Sequence, residues 1–120
     1  MDYLTFYNRA GKPICYCEDG EHIYLFNGKP VAYFYEDSVY SYSGKHLGRF
    51  NDGWVRDNNG MCVFFTQFAS GGPVKPVKGA RPTKGVKGVR PVKSVRQVRP
   101  VRPVRSLSWS PLSSEVFFSQ

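Results

Sequence analysis

The sequence is short of cysteine, histidine and long apolar runs. Of its 120 residues, only three are cysteine and two are histidine. An odd number of cysteines without a secretory signal argues against a disulfide framework. The first twenty residues contain no continuous apolar run, so neither a signal peptide nor a membrane span is expected. We therefore expect a reduced, cytoplasmic protein.

Helix signals are also missing, because no segment combines a 3.6-residue apolar repeat with a capping residue. Residues 1–70 instead contain four glycines spaced about 16 residues apart, each after a short aromatic or β-branched run: Gly11, Gly28, Gly44 and Gly60. Asn-Gly and Ser-Gly contexts favour tight hairpin turns, and the flanking period-two alternation predicts strands. We predict an all-β domain of four β-hairpins in a pseudo-four-fold rosette, or propeller-like, arrangement.

The charge is unevenly distributed along the chain. The formal net charge is +8, yet residues 1–73 contain six basic and eight acidic residues. The excess of positive charge therefore lies in the segment that follows. A basic segment and a mildly acidic domain could attract each other within one chain.

That basic segment is a tripeptide repeat of valine, a cation, and proline or glycine. Every third residue is basic without a miss: Lys75, Lys78, Arg81, Lys84, Lys87, Arg90, Lys93, Arg96, Arg99, Arg102 and Arg105. Three residues per turn and frequent proline are typical of polyproline II. We predict an extended basic arm over residues 71–106 with three edges, of which the valine edge packs against protein.

Residues 107–120 form an apolar tail: Leu107, Trp109, Leu112, Val116, Phe117 and Phe118. Exposure of such side chains would cost about 1.5–3 kcal/mol for each large one. We therefore expect the tail to dock on protein as a short strand or an apolar plug. A straight arm would be on the order of 100 Å long. A return of the tail to the domain would require the arm to bend.

Several of these motifs occur together in a known order. Asn27-Gly28-Lys29-Pro30 and its relatives precede the Trp54–Gly60 segment, the basic tract, Trp109-Ser110 and Phe117-Phe118. In this order the chain resembles the bacterial four-fold beta flower proteins over essentially its whole length. The resemblance implies four petal-like β-hairpins. It implies no activity and no site residue, because that family has no established function.

Cysteine and histidine are weak candidates for chemistry here. Cys15 and Cys17 lie two apart on a predicted strand and should share a face, where they fill space as small apolar residues. Together with Cys62, His22 and His46 they lack the spacing of a zinc knuckle. We predict no metal, no cofactor and no activated thiol, and we interpret both histidines as ordinary surface or edge residues. The acidic pairs between repeats fit turn chemistry better than catalysis.

The arm is thus the strongest functional candidate. We predict a non-enzymatic structural or interaction protein, in which the arm packs on its own domain or on a neighbouring protomer. Partners would be a second copy of the chain or another protein. The alternative is an anionic polymer, either nucleic acid or anionic glycan, bound through the eleven cations, which would lie about 9 Å apart along one edge.

Overall fold

The computed structural model describes residues 4–120, so the first three residues of the predicted 1–70 domain lie outside the described part. Eight strands follow in order: β1 Leu4–Tyr7, β2 Pro13–Cys17, β3 His22–Leu25, β4 Pro30–Tyr35, β5 Ser38–Tyr40, β6 His46–Asn51, β7 Trp54–Asp57 and β8 Cys62–Phe65. Each strand pairs antiparallel with the next, and β8 pairs back with β1 through Tyr7 and Phe65. The fold is an all-β closed barrel, which confirms the predicted class.

Glycine allows the tight turns that follow β1, β3, β5 and β7. Gly28 has a φ of 98° and Gly44 a φ of 93°, a region that disfavours residues with a Cβ. Gly11 and Gly60 occupy the equivalent turns, also with positive φ. These four turns lie at one end of the barrel, because consecutive strands run in opposite directions.

Strand alternation gives the barrel two buried layers. The interior contains Phe6, Cys15, Cys17, Ala32 and Leu47 among others. The outer face contains three aromatic clusters: Tyr7 with Trp54 and Phe65, Tyr16 with Tyr24 and Phe26, and Tyr33 with Tyr40 and Tyr42. An outer face that is buried must be covered by another part of the chain.

The tail corrects one prediction. A short α-helix, α1, spans Ser114–Phe118, where we predicted a short strand or an apolar plug. The Oγ of Ser113 accepts a hydrogen bond from the backbone N–H of Val116, and Glu115 lies in the first turn. This is ordinary N-terminal capping, and Ser113-Ser114-Glu115 is the local sequence signal for it. Phe117 is fully buried and joins the interior core beside Phe64.

Residues 74–106 contain neither helix nor strand. The molecule measures 35 × 35 × 27 Å along its principal axes, far less than the length of a straight arm. The segment 74–106, called the arm below, therefore curves around the barrel. Among residues 4–120, no helix has the length and apolarity needed to cross a membrane.

Candidate functional site

The arm contacts the barrel first through backbone hydrogen bonds from the third residue of each tripeptide. Six of these third positions are not proline, and the N–H group of every one donates to a carbonyl in a glycine turn or just before it. The donors are Gly79, Gly85, Gly88, Ser94, Gln97 and Ser106. The remaining third positions of the repeat are prolines, which have no N–H group. Proline thus occurs only where no such bond is made.

The contacts repeat every nine residues, which is three tripeptides for each glycine turn. The donors Gly79, Gly88, Gln97 and Ser106 bond to the carbonyls of Gly11, Gly28, Gly44 and Gly60, at 2.8, 2.8, 2.8 and 3.1 Å. A Cβ on any of these four turn glycines would overlap the carbonyl oxygen of the arm valine above it. Glycine is therefore needed at these turns for two reasons: the positive φ and the close approach of the arm.

Several cations of the arm face acidic residues of the barrel. Glu18 is paired with Lys84 at 2.6 Å and with Lys87, and Glu21 is paired with Lys93. Asp37 accepts from Arg99 at 2.8 Å and from Arg102, and Asp52 accepts from Arg105 at 2.9 Å. Six of the eleven predicted anion-binding residues therefore form ion pairs within the chain.

These ion pairs lower the pKa of three carboxyl groups. Hydrogen bonds from Lys84 and Lys87 hold the pKa of Glu18 below its usual value, and a bond from Lys93 does the same for Glu21. Burial alone would raise the pKa of Asp37, but hydrogen bonding to Arg102 and the charge of Arg99 outweigh it, so that this pKa is also lowered. The barrel acids are therefore held in their charged form.

Some of the same cations, together with Arg96, lie over aromatic rings of the outer face. The Nζ of Lys84 is 5.0 Å from the ring centroid of Tyr16, and the Nζ of Lys93 is 4.5 Å from that of Tyr33. The guanidinium of Arg96 lies 3.6 Å from the centroid of Tyr35. A cation above an aromatic face is attracted by the negative potential of the ring. The arm therefore covers the outer tyrosines with charge.

The remaining predicted anion-binding residues differ in their surroundings. Lys75 donates to the backbone carbonyl of Ala69 at 2.6 Å, and Arg90 donates to the hydroxyl of Tyr24 at 3.2 Å. Lys78 and Arg81 are exposed. The structure therefore distributes the cationic column around the barrel instead of assembling one basic surface.

The valine edge does not pack on the chain's own barrel. Nine arm valines are 90–95% exposed, whereas the sequence predicted that this edge would pack against protein, either this barrel or a neighbouring copy. The reason is geometric: the third position must face the turns to donate its N–H, and the cations face the acids and rings. Valine then occupies the third edge, which points to solvent. The exposed set is Val74, Val77, Val86, Val89, Val92, Val95, Val98, Val101 and Val104.

All three cysteines are free thiols and are buried. Cys15 and Cys17 share the barrel interior, as predicted, whereas Cys62 lies in an outer cluster with Trp54. Burial raises the pKa of Cys15 and Cys62, and it raises that of Cys17 to about 11. Their thiols are therefore protonated near neutral pH and are poor nucleophiles. Within residues 4–120, no three His, Cys, Asp or Glu side chains gather as metal ligands.

His46 is not the surface residue that the sequence predicted. It is buried in β6, where Nδ1 lies 2.8 Å from Oδ1 of Asn58 and Nε2 lies 3.0 Å from Oγ of Ser38. Burial lowers its pKa, and the nearby positive charges of Arg49 and Arg99 act in the same direction. Its backbone N–H donates to the side chain of Gln97, so this residue also anchors the arm.

Sequence reasoning missed two buried arginines of the barrel, Arg49 and Arg56. The Nη2 of Arg49 donates to the carbonyl of Pro100 at 2.8 Å, and the Nη1 of Arg56 donates to the carbonyls of Gly60 and Ser106. A signal was present, because Arg49 stands five residues after its turn glycine, where the other repeats have Tyr16, Tyr33 and Phe65.

Comparison with known proteins gives one family. The family model described as "4-fold beta flower protein" matches residues 4–118. No curated protein and no solved structure matches the chain.

Proposed function

This chain belongs to the 4-fold beta flower protein family, and on that premise we propose that it is a non-enzymatic structural or interaction protein whose arm serves as a belt. In this interpretation the barrel is a rosette of four hairpins, and the arm is a polyproline II-like strap across their glycine turns. The observation that carries the proposal is the match between proline placement and hydrogen bonding in the arm.

The belt has a stabilising role because it covers the aromatic outer face. Tyr16 and Tyr33 are almost completely buried although they point away from the barrel interior. Arm residues Lys84 and Lys93 lie over these rings. Without the arm, these aromatic rings would be exposed, and a small barrel with so much exposed aromatic surface would be prone to aggregate.

The cavity beside α1 is lined mainly by apolar and uncharged side chains. This cavity, of about 510 Å³, lies between the first two glycine turns and α1. Its walls include apolar Ile14 and Phe118, and its titratable groups are Lys12, Lys29 and Glu115. In this cavity the Oγ of Ser114 donates to Oε1 of Glu115 at 3.0 Å, a contact between neighbouring residues in the first turn of α1.

A single backbone hydrogen bond tests the belt. Ser94→Pro removes the N–H that donates to the carbonyl of Tyr42 at 2.9 Å but keeps an extended backbone. Ser94→Ala is the matched control at the same position, because it keeps the backbone N–H. We expect Ser94→Pro to open Arg96 to trypsin while the control stays protected; Lys93 is not informative, because trypsin does not cleave a Lys-Pro bond. Equal cleavage of both variants, or rapid cleavage of the wild-type arm, would contradict the belt.

The exposed valine edge favours protein contact as the interaction part of the proposal. Isolated exposed valines are ordinary, but nine on one continuous segment are not scattered. Replacing Val86, Val89, Val92 and Val95 by threonine keeps their shape and removes apolar surface. If the edge joins copies of the chain, wild-type mass in sedimentation should rise with concentration and the variant's should not. A monomeric wild type would leave a different protein as the partner.

Anionic-polymer binding is less well supported. Six of the cations that it requires are paired with barrel acids. A polymer would have to compete with those pairs. Salt-sensitive binding to heparin or RNA that disappears when Lys78 and Arg90 are replaced by glutamine would favour it over the belt.

A further inference from the structure

Four equivalent cross-strand pairs lie on the outer face of the barrel, one at each seam between consecutive turn-linked strand pairs. Three are stacked aromatics, whose ring centroids are 5.3, 6.0 and 6.0 Å apart: Tyr7–Phe65, Tyr16–Tyr24 and Tyr33–Tyr40. The fourth is Arg49 opposite Arg56. One seam in four thus places two like charges directly opposite each other, which is destabilising.

The arm adds more positive charge at this seam. Lys84 lies over Tyr16, and Lys93, nine residues later, lies over Tyr33. The next residue at this interval is Arg102, which meets arginine instead of a tyrosine ring. Arg49, Arg56, Arg102 and Arg105 together line a cavity of about 10 Å³, along with Asp57.

The two barrel arginines are buried but not neutralised. Arg49 is 8% exposed and Arg56 is 5% exposed, and neither forms an ion pair within residues 4–120. The buried carboxylate of Asp57 offsets one of the two charges, but its oxygens accept from the backbone N–H groups of Asn59 and Met61 and from the hydroxyl of Ser110, and it forms no ion pair with either arginine. Two guanidinium groups against one carboxylate leave a net positive charge. Uncompensated buried charge is costly, so a counter-charge is needed.

Three guanidinium nitrogens at this seam are buried and lack a hydrogen-bond partner. They are Nε and Nη1 of Arg49 and Nε of Arg56. Asp37 and Asp52 neutralise Arg102 and Arg105 from outside, which leaves the positive charge on the barrel side of the seam. Burial and the charge of Arg102 lower the pKa of Arg49, an effect that a bound anion would oppose.

We propose that the Arg49–Arg56 seam is a binding site for a single chloride-sized anion, held between the barrel and the arm. A cavity of about 10 Å³ has room for about one water-sized sphere, which favours a monatomic ion over phosphate or sulfate. The unpartnered nitrogens supply the donors. The anion replaces the stacking and cation–π contacts that the other three seams have, and it ties barrel and arm together at the last quarter of the belt.

The test is thermal unfolding of the full chain while chloride replaces gluconate at constant ionic strength. Ionic strength must be fixed because salt also screens the pairs between arm and barrel. We expect the wild-type midpoint to rise by several degrees and then level off, as binding to the native state alone requires. A flat response overturns the proposal, and a response to sulfate but not chloride overturns the monatomic assignment.

Two variants locate the site. Arg49→Tyr combined with Arg56→Tyr converts the fourth seam to the chemistry of the others, so it should fold without chloride and lose the response. Arg90→Gln changes an arm arginine away from this cavity and should keep the response. A retained response in the double variant places the ion elsewhere and overturns the assignment. If that variant does not fold, wild-type crystals soaked in bromide give the answer: no anomalous peak between Arg49 and Arg56 refutes the site.

Discussion

Substitution of one turn glycine measures how strongly the arm holds the barrel. In Gly28→Ala, the new methyl group meets two obstacles. The φ of 98° costs a residue with a Cβ about 1–2 kcal/mol. The methyl group also overlaps the carbonyl oxygen of Val86, so the arm must lift at this turn.

Lifting the arm removes two backbone hydrogen bonds, from Gly85 to Phe26 at 2.7 Å and from Gly88 to Gly28 at 2.8 Å. At a net value of about 0.5–1.5 kcal/mol each, they add about 1–3 kcal/mol. We therefore expect Gly28→Ala to lower the free energy of unfolding by about 2–5 kcal/mol, measured by urea denaturation.

Gly71→Ala is the matched control for this change. Gly71 also has positive φ, at 73°, but a Cβ there meets nothing within 4 Å. It should lose only the backbone term of about 1–2 kcal/mol. In addition, only Gly28→Ala should speed tryptic cleavage at Lys84 and Lys87. Equal losses of stability and equal cleavage in the two variants would refute the argument that the arm requires glycine.

Three further predictions concern the tail and the pH dependence of stability. Phe117→Ala should lower the free energy of unfolding by about 3–5 kcal/mol in urea denaturation, because Phe117 is fully buried. Val116→Ala changes an exposed residue of the same helix and should alter that free energy by no more than about 0.5 kcal/mol. Similar losses in the two variants would exclude a core role for the tail. The pKa of Glu18 is lower in the folded chain than its usual value of about 4.3, so its contribution to stability is present above that value and is lost as pH falls through the lower folded pKa. Glu18→Gln should therefore be less stable at pH 7, and its stability should depend less on pH in acid. An unchanged dependence of stability on acid pH would contradict this. The pKa of His46 is lower in the folded chain than its usual value of about 6.5, so as pH falls the imidazole is protonated in the unfolded chain first. The free energy of unfolding should therefore fall between about pH 7 and 5. His46→Gln should abolish that decrease, and a decrease that persists in the variant would be assigned to another group.

The all-β class was predictable because it depends on local signals. Asn27-Gly28 and Ser43-Gly44 indicate tight turns by backbone preference alone, and both glycines have positive φ in the structure. The common face of Cys15 and Cys17 follows from strand geometry. The helix that begins at Ser114 was also predictable, because Ser113 and Glu115 are ordinary signals for a helix start.

The orientation of the arm could not be predicted in the same way. A three-residue period defines three edges but does not say which edge faces the protein. That choice depends on Tyr16, Glu18 and Asp37, which form an acidic and aromatic outer face only after the strands close. The burial of His46 has the same origin, because Ser38 and Asn58 meet its ring from other parts of the chain. Arg49 and Arg56 become a pair only through the register of β6 with β7.

The placement of proline in the arm also fixes its position along the barrel. A repeat of three could slide by one tripeptide and keep every cation and valine in its column. Such a slide would bring proline to four of the six donor positions in one direction and to three in the other. After a slide by nine residues, most donor positions would again be occupied by a residue with a backbone N–H group. The tail opposes such a slide, because Phe117 anchors it in the core. The positions of proline and the anchored tail therefore favour a single register of the arm on the barrel, although the sequence of the arm is almost uniform.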